Sequence, residues 1–272
     1  MKKLGIVSVA LILIGLGVWL SYQIIDIITS RANQATVVIP DDTTSKIPIT
    51  LTLPGADSID VRIEDYRKAG SLWVIVNKDY PLTDPSYTPA GLAVPRVTVN
   101  NEKTLEEQSL RSDIIPDLEA MFLAAKKAGH DIMLASGFRS YQLQNAYYSN
   151  YVRISGEEEA NKYSAMPGQS EHQTGLAFDI SLTSRECYLE TCFGETPAGK
   201  WLAQNAHTYG FILRYTADTT EITKYQFEPW HFRYVGREMA KALKQSNLTL
   251  DQARPFLERV RDQLIERKQI TE

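Results

Sequence analysis

A histidine and an aspartate stand seven residues apart, among glycines and small residues, in the stretch PGQSEHQTGLAFDIS (residues 167–181). The chain has only four histidines in 272 residues, so His172 is a scarce residue type in a glycine-rich setting. Gly175 permits a tight turn that an ordinary strand would not need. A neutral imidazole nitrogen and a carboxylate oxygen are both good zinc ligands. We therefore expect His172 and Asp179 to bind a metal ion.

A second stretch, FEPWHFRYVG (residues 227–236), supplies a carboxylate three residues before another histidine. Pro229 lies between them and argues against the helical geometry of an HExxH site. If His231 is the third protein ligand, a four-coordinate zinc keeps one position open, as a catalytic zinc requires. Glu228 would then be the general base that takes a proton from water.

Each of these residues also has a plainer interpretation when it is taken alone. His172 could be a capping or surface histidine, and Asp179 could end a strand. Glu228 and His231 could form an exposed pair beside a turn. The shared context of the two stretches favours the metal site.

The elements that would carry these residues are of mixed type. Helical spacing of apolar residues predicts helices, and short apolar runs predict strands. The predicted helices cover residues 113–130, 141–154, 157–165, 199–210 and 249–269, with a break at Gly156 and an internal Pro255. The predicted strands cover residues 72–76, 131–136, 175–181 and 232–236. Because strands and helices do not alternate regularly, the pattern favours an α+β fold.

Composition sets limits on function. A hydrophobic share of 43% is enough for a substantial core. The net charge of -4 gives no basic footprint, so nucleic acid is not an expected partner.

The N-terminus carries the uncharged apolar run LGIVSVALILIGLGVWL after two lysines. This run is long enough to cross a membrane. We predict a membrane anchor at residues 1–29, an extended stalk at 30–68 and one larger domain at 69–272, with the two lysines inside and the rest of the chain outside. A cleaved signal peptide is the alternative, although the run is longer than usual for one and no clear cleavage site follows it closely.

Cys187 and Cys192 are the two cysteines of the chain. Their spacing could close a small disulfide loop, or they could be free thiols. Metal ligation is a weaker interpretation because no second cysteine pair lies nearby.

Four ordered blocks carry a family resemblance: SGFRSYQLQ, SEHQTGLAFDI, NAHTYGFILRY and EPWHFRYVG. Together they resemble the zinc D-alanyl-D-alanine carboxypeptidases, a family that includes vancomycin-resistance D,D-carboxypeptidases and related L,D-carboxypeptidases. The resemblance covers roughly residues 72–250. It implies a small antiparallel sheet with flanking helices, of the hedgehog/DD-peptidase type, and a zinc cofactor.

The resemblance also implies roles for individual residues. His172, Asp179 and His231 match the family's zinc ligands, and Glu228 matches its catalytic base. Arg139 matches an arginine that stabilises the developing oxyanion and contacts substrate. Further implied substrate contacts are Gln144 and Ser170.

The implied substrate is a peptidoglycan stem peptide that ends in D-alanine. The family pattern does not decide between a D,D bond in pentapeptides and an L,D bond in tetrapeptides, and we favour the D,D bond as the broader family activity. The SRECYLETCFGETPA insertion, if its cysteines pair, could form a lid that narrows substrate choice. A non-catalytic peptidoglycan-binding module is the alternative from another functional class.

Overall fold

The computed structural model describes residues 49–61 and 65–267. The predicted membrane anchor, residues 1–29, lies outside the described residues, as does the first part of the predicted stalk. Across the described ranges, no helix combines the length and the apolar character needed to cross a bilayer.

The described part of the chain contains eight short strands, seven α-helices and three short 3₁₀ helices. The strands are β1 (Thr50–Leu51), β2 (Ile59–Asp60), β3 (Leu92–Ala93), β4 (Leu110–Arg111), β5 (Ile132–Ser136), β6 (Ala177–Leu182), β7 (Phe211–Tyr215) and β8 (Glu228–Tyr234). The α-helices are α1 (Ile115–Lys127), α2 (Tyr141–Ser155), α3 (Glu157–Tyr163), α4 (Pro197–Asn205), α5 (Thr220–Thr223), α6 (Arg237–Ser246) and α7 (Arg254–Glu266). The 3₁₀ helices cover Glu171–Thr174, Thr191–Glu195 and Ala206–Tyr209.

A four-stranded antiparallel sheet in the order β5-β6-β8-β7 forms the centre of the fold. In the register between β6 and β8, Phe178 lies opposite Phe232 and Asp179 lies opposite His231. Because side chains alternate between the two faces of a strand, the phenylalanines point to one face and the polar pair to the other. Small antiparallel sheets with flanking helices confirm the predicted α+β class.

The apolar face of this sheet packs against α1 and α4. Four buried residues of α1, namely Leu118, Met121, Phe122 and Ala125, follow the helical spacing that the sequence predicted. The helix ends just before Gly129, which has a φ of +87°. Glycine adopts this left-handed conformation without a steric penalty, so α1 stops where the sequence indicated.

The segment LWVIV (residues 72–76) is not a strand, although its apolar run predicted one. The buried Arg233 guanidinium donates hydrogen bonds to the carbonyl oxygens of Leu72 and Val74, both at 2.9 Å. These carbonyls therefore bond to a side chain instead of a neighbouring strand. The last helix also begins later than predicted, so that Pro255 lies in its first turn, where no backbone N–H is needed.

Residues 49–61 lie within the predicted stalk, but they pack on the domain. Strands β1 and β2 pair antiparallel. Ile49, Leu51, Leu53 and Ile59 are buried in a cluster that includes apolar residues of α6 and α7. Burial of these side chains holds this segment against the fold, because exposing them to water would be unfavourable.

Candidate active site

The polar face of the central sheet brings together the three predicted metal ligands. His172 lies in the 3₁₀ helix before β6, and Asp179 and His231 lie opposite each other on β6 and β8. Gly175 ends the 3₁₀ helix with a φ of +67°. A Cβ atom there would lie 3.1 Å from the Arg111 side chain, so both the backbone conformation and the limited space favour glycine at this turn.

The distances between these side chains are short. His172 Nε2 lies 3.4 Å from Asp179 Oδ2, and His231 Nδ1 lies 3.2 Å from Asp179 Oδ1. One ligand atom from each residue lies within 4.8 Å of the other two. All three side chains are buried.

The donor atoms of the trio fit a zinc ion. His172 Nδ1–H donates to the carbonyl oxygen of Gly137 at 2.6 Å, which leaves the buried Nε2 without a hydrogen-bond partner. Burial, together with the Arg139 charge, lowers the pKa of His172 to about 4, so its imidazole is neutral. Two imidazole nitrogens and one carboxylate oxygen are a donor set that suits zinc. The backbone bond from Nδ1 is the kind of outer contact that orients a metal-binding histidine.

The charges around His231 favour a cation. Burial opposes a charged imidazole, but the nearby carboxylates of Asp179 and Glu171 raise the pKa of His231 to about 9. The His172 interaction holds the pKa of Asp179 well below its usual range, against the effect of burial. A positive charge at this point of the pocket is therefore stabilised by buried carboxylates.

Glu228 opens β8, and its Oε2 lies 3.7 Å from His231 Nδ1. Burial raises the pKa of the Glu228 carboxyl to about 7. A carboxyl group with a pKa near neutrality can both accept and return a proton. The predicted base therefore lies beside the predicted ligands.

Arg139 follows β5 and points to the same group of residues. Its Nη2 lies 3.9 Å from Asp179 Oδ2, and its Nη1 donates to Gln144 Oε1 at 3.1 Å. Gln144 in turn donates from Nε2 to the carbonyl oxygen of Ala165 at 2.8 Å. The amide of Gln144 thus holds Arg139 in place. Gln144 and Ser170 both line the pocket.

These side chains share one pocket of about 310 Å³. His172, Asp179, His231, Glu228 and Arg139 all line it. Aromatic and loop residues complete the wall: Tyr151, Leu189, Thr191, Tyr215, Tyr225, Phe227 and Trp230. Cys187 and Cys192, whose pairing the sequence left open, form a disulfide in the loop that carries Leu189 and Thr191.

Sequence reasoning missed the buried ion network behind His231. Glu171 Oε1 accepts hydrogen bonds from Arg214 Nε and Arg233 Nη1, both at 2.8 Å. Arg214 also pairs with Asp251. Although burial opposes it, the two guanidinium groups hold the pKa of Glu171 well below its usual range. An arginine inside each of the strands FILRY and EPWHFRY is the sequence signal that could have indicated such a network.

Comparison with known proteins agrees with this geometry. Residues 107–237 match the family model "VanY: D-alanyl-D-alanine carboxypeptidase". YodJ of Bacillus subtilis (strain 168) is 42% identical over 190 residues, which cover 70% of this chain and 69% of YodJ. The chain belongs to the VanY family.

Two solved structures of this family are informative. The LdcB LD-carboxypeptidase aligns with a TM-score of 0.65 and 42% identity, over 70% of this chain and 87% of the solved LdcB chain. The vancomycin-resistance D,D-pentapeptidase VanY, solved with Zn(II), aligns with a TM-score of 0.51 and 31% identity, over 66% of this chain and 97% of the solved VanY chain. The VanY-family chain described here is accordingly a zinc carboxypeptidase.

Proposed function

We propose that this enzyme removes the C-terminal D-alanine from peptidoglycan stem peptides. The bond that it cleaves is the one between two D-alanine residues. The observation that carries the proposal is the presence of His172, Asp179, His231, Glu228 and Arg139 in one pocket. The family model and the D,D-pentapeptidase structure support the choice of bond.

Hydrolysis of a peptide bond needs a polarised carbonyl, an activated water and a proton for the leaving amine. His172 Nε2, Asp179 and His231 Nδ1 would hold the zinc ion. When bound, zinc supplies Lewis acidity and makes water easier to deprotonate. The carboxylate of Glu228 takes the proton of the attacking water and then donates it to the departing D-alanine nitrogen.

Arg139 stabilises the negative charge that develops on the scissile carbonyl oxygen. Its guanidinium is held by Gln144 and lies close to Asp179, so it needs little rearrangement during the reaction. Ser170, which is buried in the pocket wall, is assigned a contact with the substrate.

An L,D bond in a tetrapeptide stem is the second candidate. The observation that favours it is the 42% identity to the LdcB LD-carboxypeptidase. A non-catalytic binding module is less well supported, because Glu228 and all three predicted ligands are present together.

The test compares the zinc-loaded full chain with its Glu228→Ala variant on synthetic pentapeptide and tetrapeptide stems. Mass spectrometry follows the loss of one alanine. Glu221→Ala, which removes an exposed glutamate in α5, is the matched control. Loss from the pentapeptide alone supports the D,D assignment, and loss from the tetrapeptide supports L,D. If the unmutated protein releases alanine from neither peptide, the enzymatic proposal fails and the binding module becomes the leading explanation.

The proposed location is the cell membrane, with the catalytic domain on the wall side. The support is the apolar run of residues 4–20 behind two lysines. Protease added to intact cells should digest the domain while the protein fractionates with membranes. Protection from the protease, or recovery in the cytosolic fraction, would contradict this location.

A further inference from the structure

The loop of residues 183–196, which we call the disulfide loop, joins β6 to α4 and forms part of the pocket wall. The Cys187–Cys192 disulfide closes it. Between the two cysteines, Leu189 lines the pocket, as does Thr191. The loop therefore faces the substrate site directly.

The backbone of the disulfide loop adopts an unusual conformation. Arg185, Cys187 and Leu189 have φ values of +62°, +53° and +52°, and none of them is glycine. Side chains with a Cβ atom rarely occupy this left-handed region. Such a conformation persists only where the surrounding contacts impose it, and it is typical of functional segments.

Contacts on the outer side hold the first half of the loop. Arg185 Nη1 donates to Glu102 Oε2 at 2.7 Å, and Nη2 donates to Asn100 Oδ1 at 2.8 Å. Asn100 Nδ2 donates to the hydroxyl oxygen of Tyr188 at 3.0 Å. These bonds fix the residues on both sides of Cys187, immediately before Leu189.

Packing on the inner side holds the second half. Phe193 is fully buried in the main core. Gly194 lies so close to the next segment that a Cβ atom would be 3.0 Å from Pro229 and 3.3 Å from Phe227. The loop is thus packed against the two residues that flank Glu228.

The pocket has a clear inner and outer end. His172, Asp179 and His231 are buried, whereas Leu189 is partly exposed and Thr191 is exposed. A carboxypeptidase substrate has only one residue beyond the scissile bond. The part of a longer peptide on the N-terminal side of that bond must therefore extend through the outer end of the pocket.

We propose that Leu189 and Thr191 contact the stem peptide upstream of the scissile bond and select substrates by that upstream part. The disulfide and the contacts at both ends of the loop hold the two residues in place for this role. This inference rests on the proposed function, because it assumes that a stem peptide occupies the pocket.

The test measures kcat and KM on two kinds of substrate: the stem peptides, and an N-acetylated dipeptide that ends in the same bond but lacks the upstream residues. The variants are Leu189→Ala and the double change Cys187→Ser with Cys192→Ser. Glu186→Ala, an exposed change in the same loop that does not touch the pocket, is the control. Zinc content is measured for each variant.

Leu189→Ala should lower kcat/KM on stems by about tenfold, mainly through a higher KM. Loss of a few apolar contacts with the substrate typically changes kcat/KM by this factor. The acetylated dipeptide should be cleaved as before, and zinc content should not change. The double-serine variant should also lose kcat/KM on stems and keep its activity on the acetylated dipeptide, and reduction of the unmutated protein with a phosphine should reproduce this result.

An equal loss on both substrates, or no loss on stems, would overturn the inference while leaving the proposed function intact. If the unmutated protein cleaves nothing, the proposed function is the one that fails. Calorimetric binding of the stem peptides then tests the contact, since Leu189→Ala should still weaken binding about tenfold. Unchanged binding would reject it.

Discussion

Glu171 Oε2 lies 3.7 Å from His231 Nε2, and neither of these buried atoms has a hydrogen-bond partner. The other ring nitrogen of His231 faces Asp179. A proton on Nε2, directed at Glu171, leaves Nδ1 free to bind zinc. Carboxylate partners of this kind orient metal-binding histidines.

Replacement of this carboxylate should weaken zinc binding. We expect Glu171→Gln to lower zinc affinity by about 10- to 100-fold, because the amide is a poorer acceptor for His231. The change also removes the negative charge that neutralises two buried arginines. Competition with a chromophoric chelator measures the affinity. Zinc affinity equal to that of the unmutated chain would show that Glu171 does not position His231.

Two further measurements separate positioning from general damage. The exposed Glu186→Gln should leave zinc affinity unchanged. Asp251→Asn disturbs Arg214 from the far side of the network. It should lower the free energy of unfolding and have a smaller effect on the free energy of zinc binding. Urea unfolding of the three proteins makes this comparison.

Loss of Arg139 should affect the rate more than zinc binding. Arg139→Ala should lower kcat by about 10²- to 10³-fold, as expected when one group that stabilises an oxyanion is removed. Gln144→Ala should have a smaller effect, because Gln144 acts through Arg139. Arg153→Ala, an exposed change on α2, is the control. Unchanged kcat in Arg139→Ala would remove Arg139 from the mechanism.

The cluster of His172, Asp179 and His231 could be predicted because its sequence signals are local. Histidine and aspartate in a glycine-rich stretch indicate unusual chemistry without knowledge of the fold. The Glu171 network could not be predicted in the same way, because its partners Arg214 and Arg233 are 43 and 62 residues distant in sequence. Sequence shows that a residue is charged, but burial and pairing depend on the fold.

The same distinction explains the strand prediction that failed. The run at residues 72–76 has the composition of a strand. Two of its carbonyl oxygens nevertheless accept hydrogen bonds from Arg233, which lies more than 150 residues later in the sequence. Helix α1, in contrast, could be predicted because its apolar spacing and its terminal glycine are both local features.

The packing of residues 49–61 gives a test of where the domain begins. Leu51 is almost fully buried against the cluster that contains α7. Leu51→Ala should lower the free energy of unfolding by about 2–5 kcal/mol through the cavity that it leaves. Thr50→Ala, on the exposed side of β1, should change it by about 0.5 kcal/mol or less. Equal, small effects from both would mean that this segment behaves as a linker in solution.

Glu107 should make the fold sensitive to acid. Burial alone would raise the pKa of Glu107, but hydrogen bonds from Lys103 at 2.8 Å and from Tyr147 hold it below the ordinary value. A carboxyl group whose pKa is lowered by folding stabilises the fold above its unfolded pKa of about 4.3. That stabilisation is lost as the pH falls through the lower, folded value.

Between pH 5 and pH 3 the unmutated protein should therefore lose more stability than Glu107→Gln, although Glu107→Gln is the less stable protein at pH 7. Urea unfolding midpoints across this range measure both effects. Exposed Glu238→Gln serves as the control and should follow the unmutated curve. Parallel curves for all three proteins would mean that folding does not lower the pKa of Glu107, because only a pKa difference between the two states produces a pH-dependent stability.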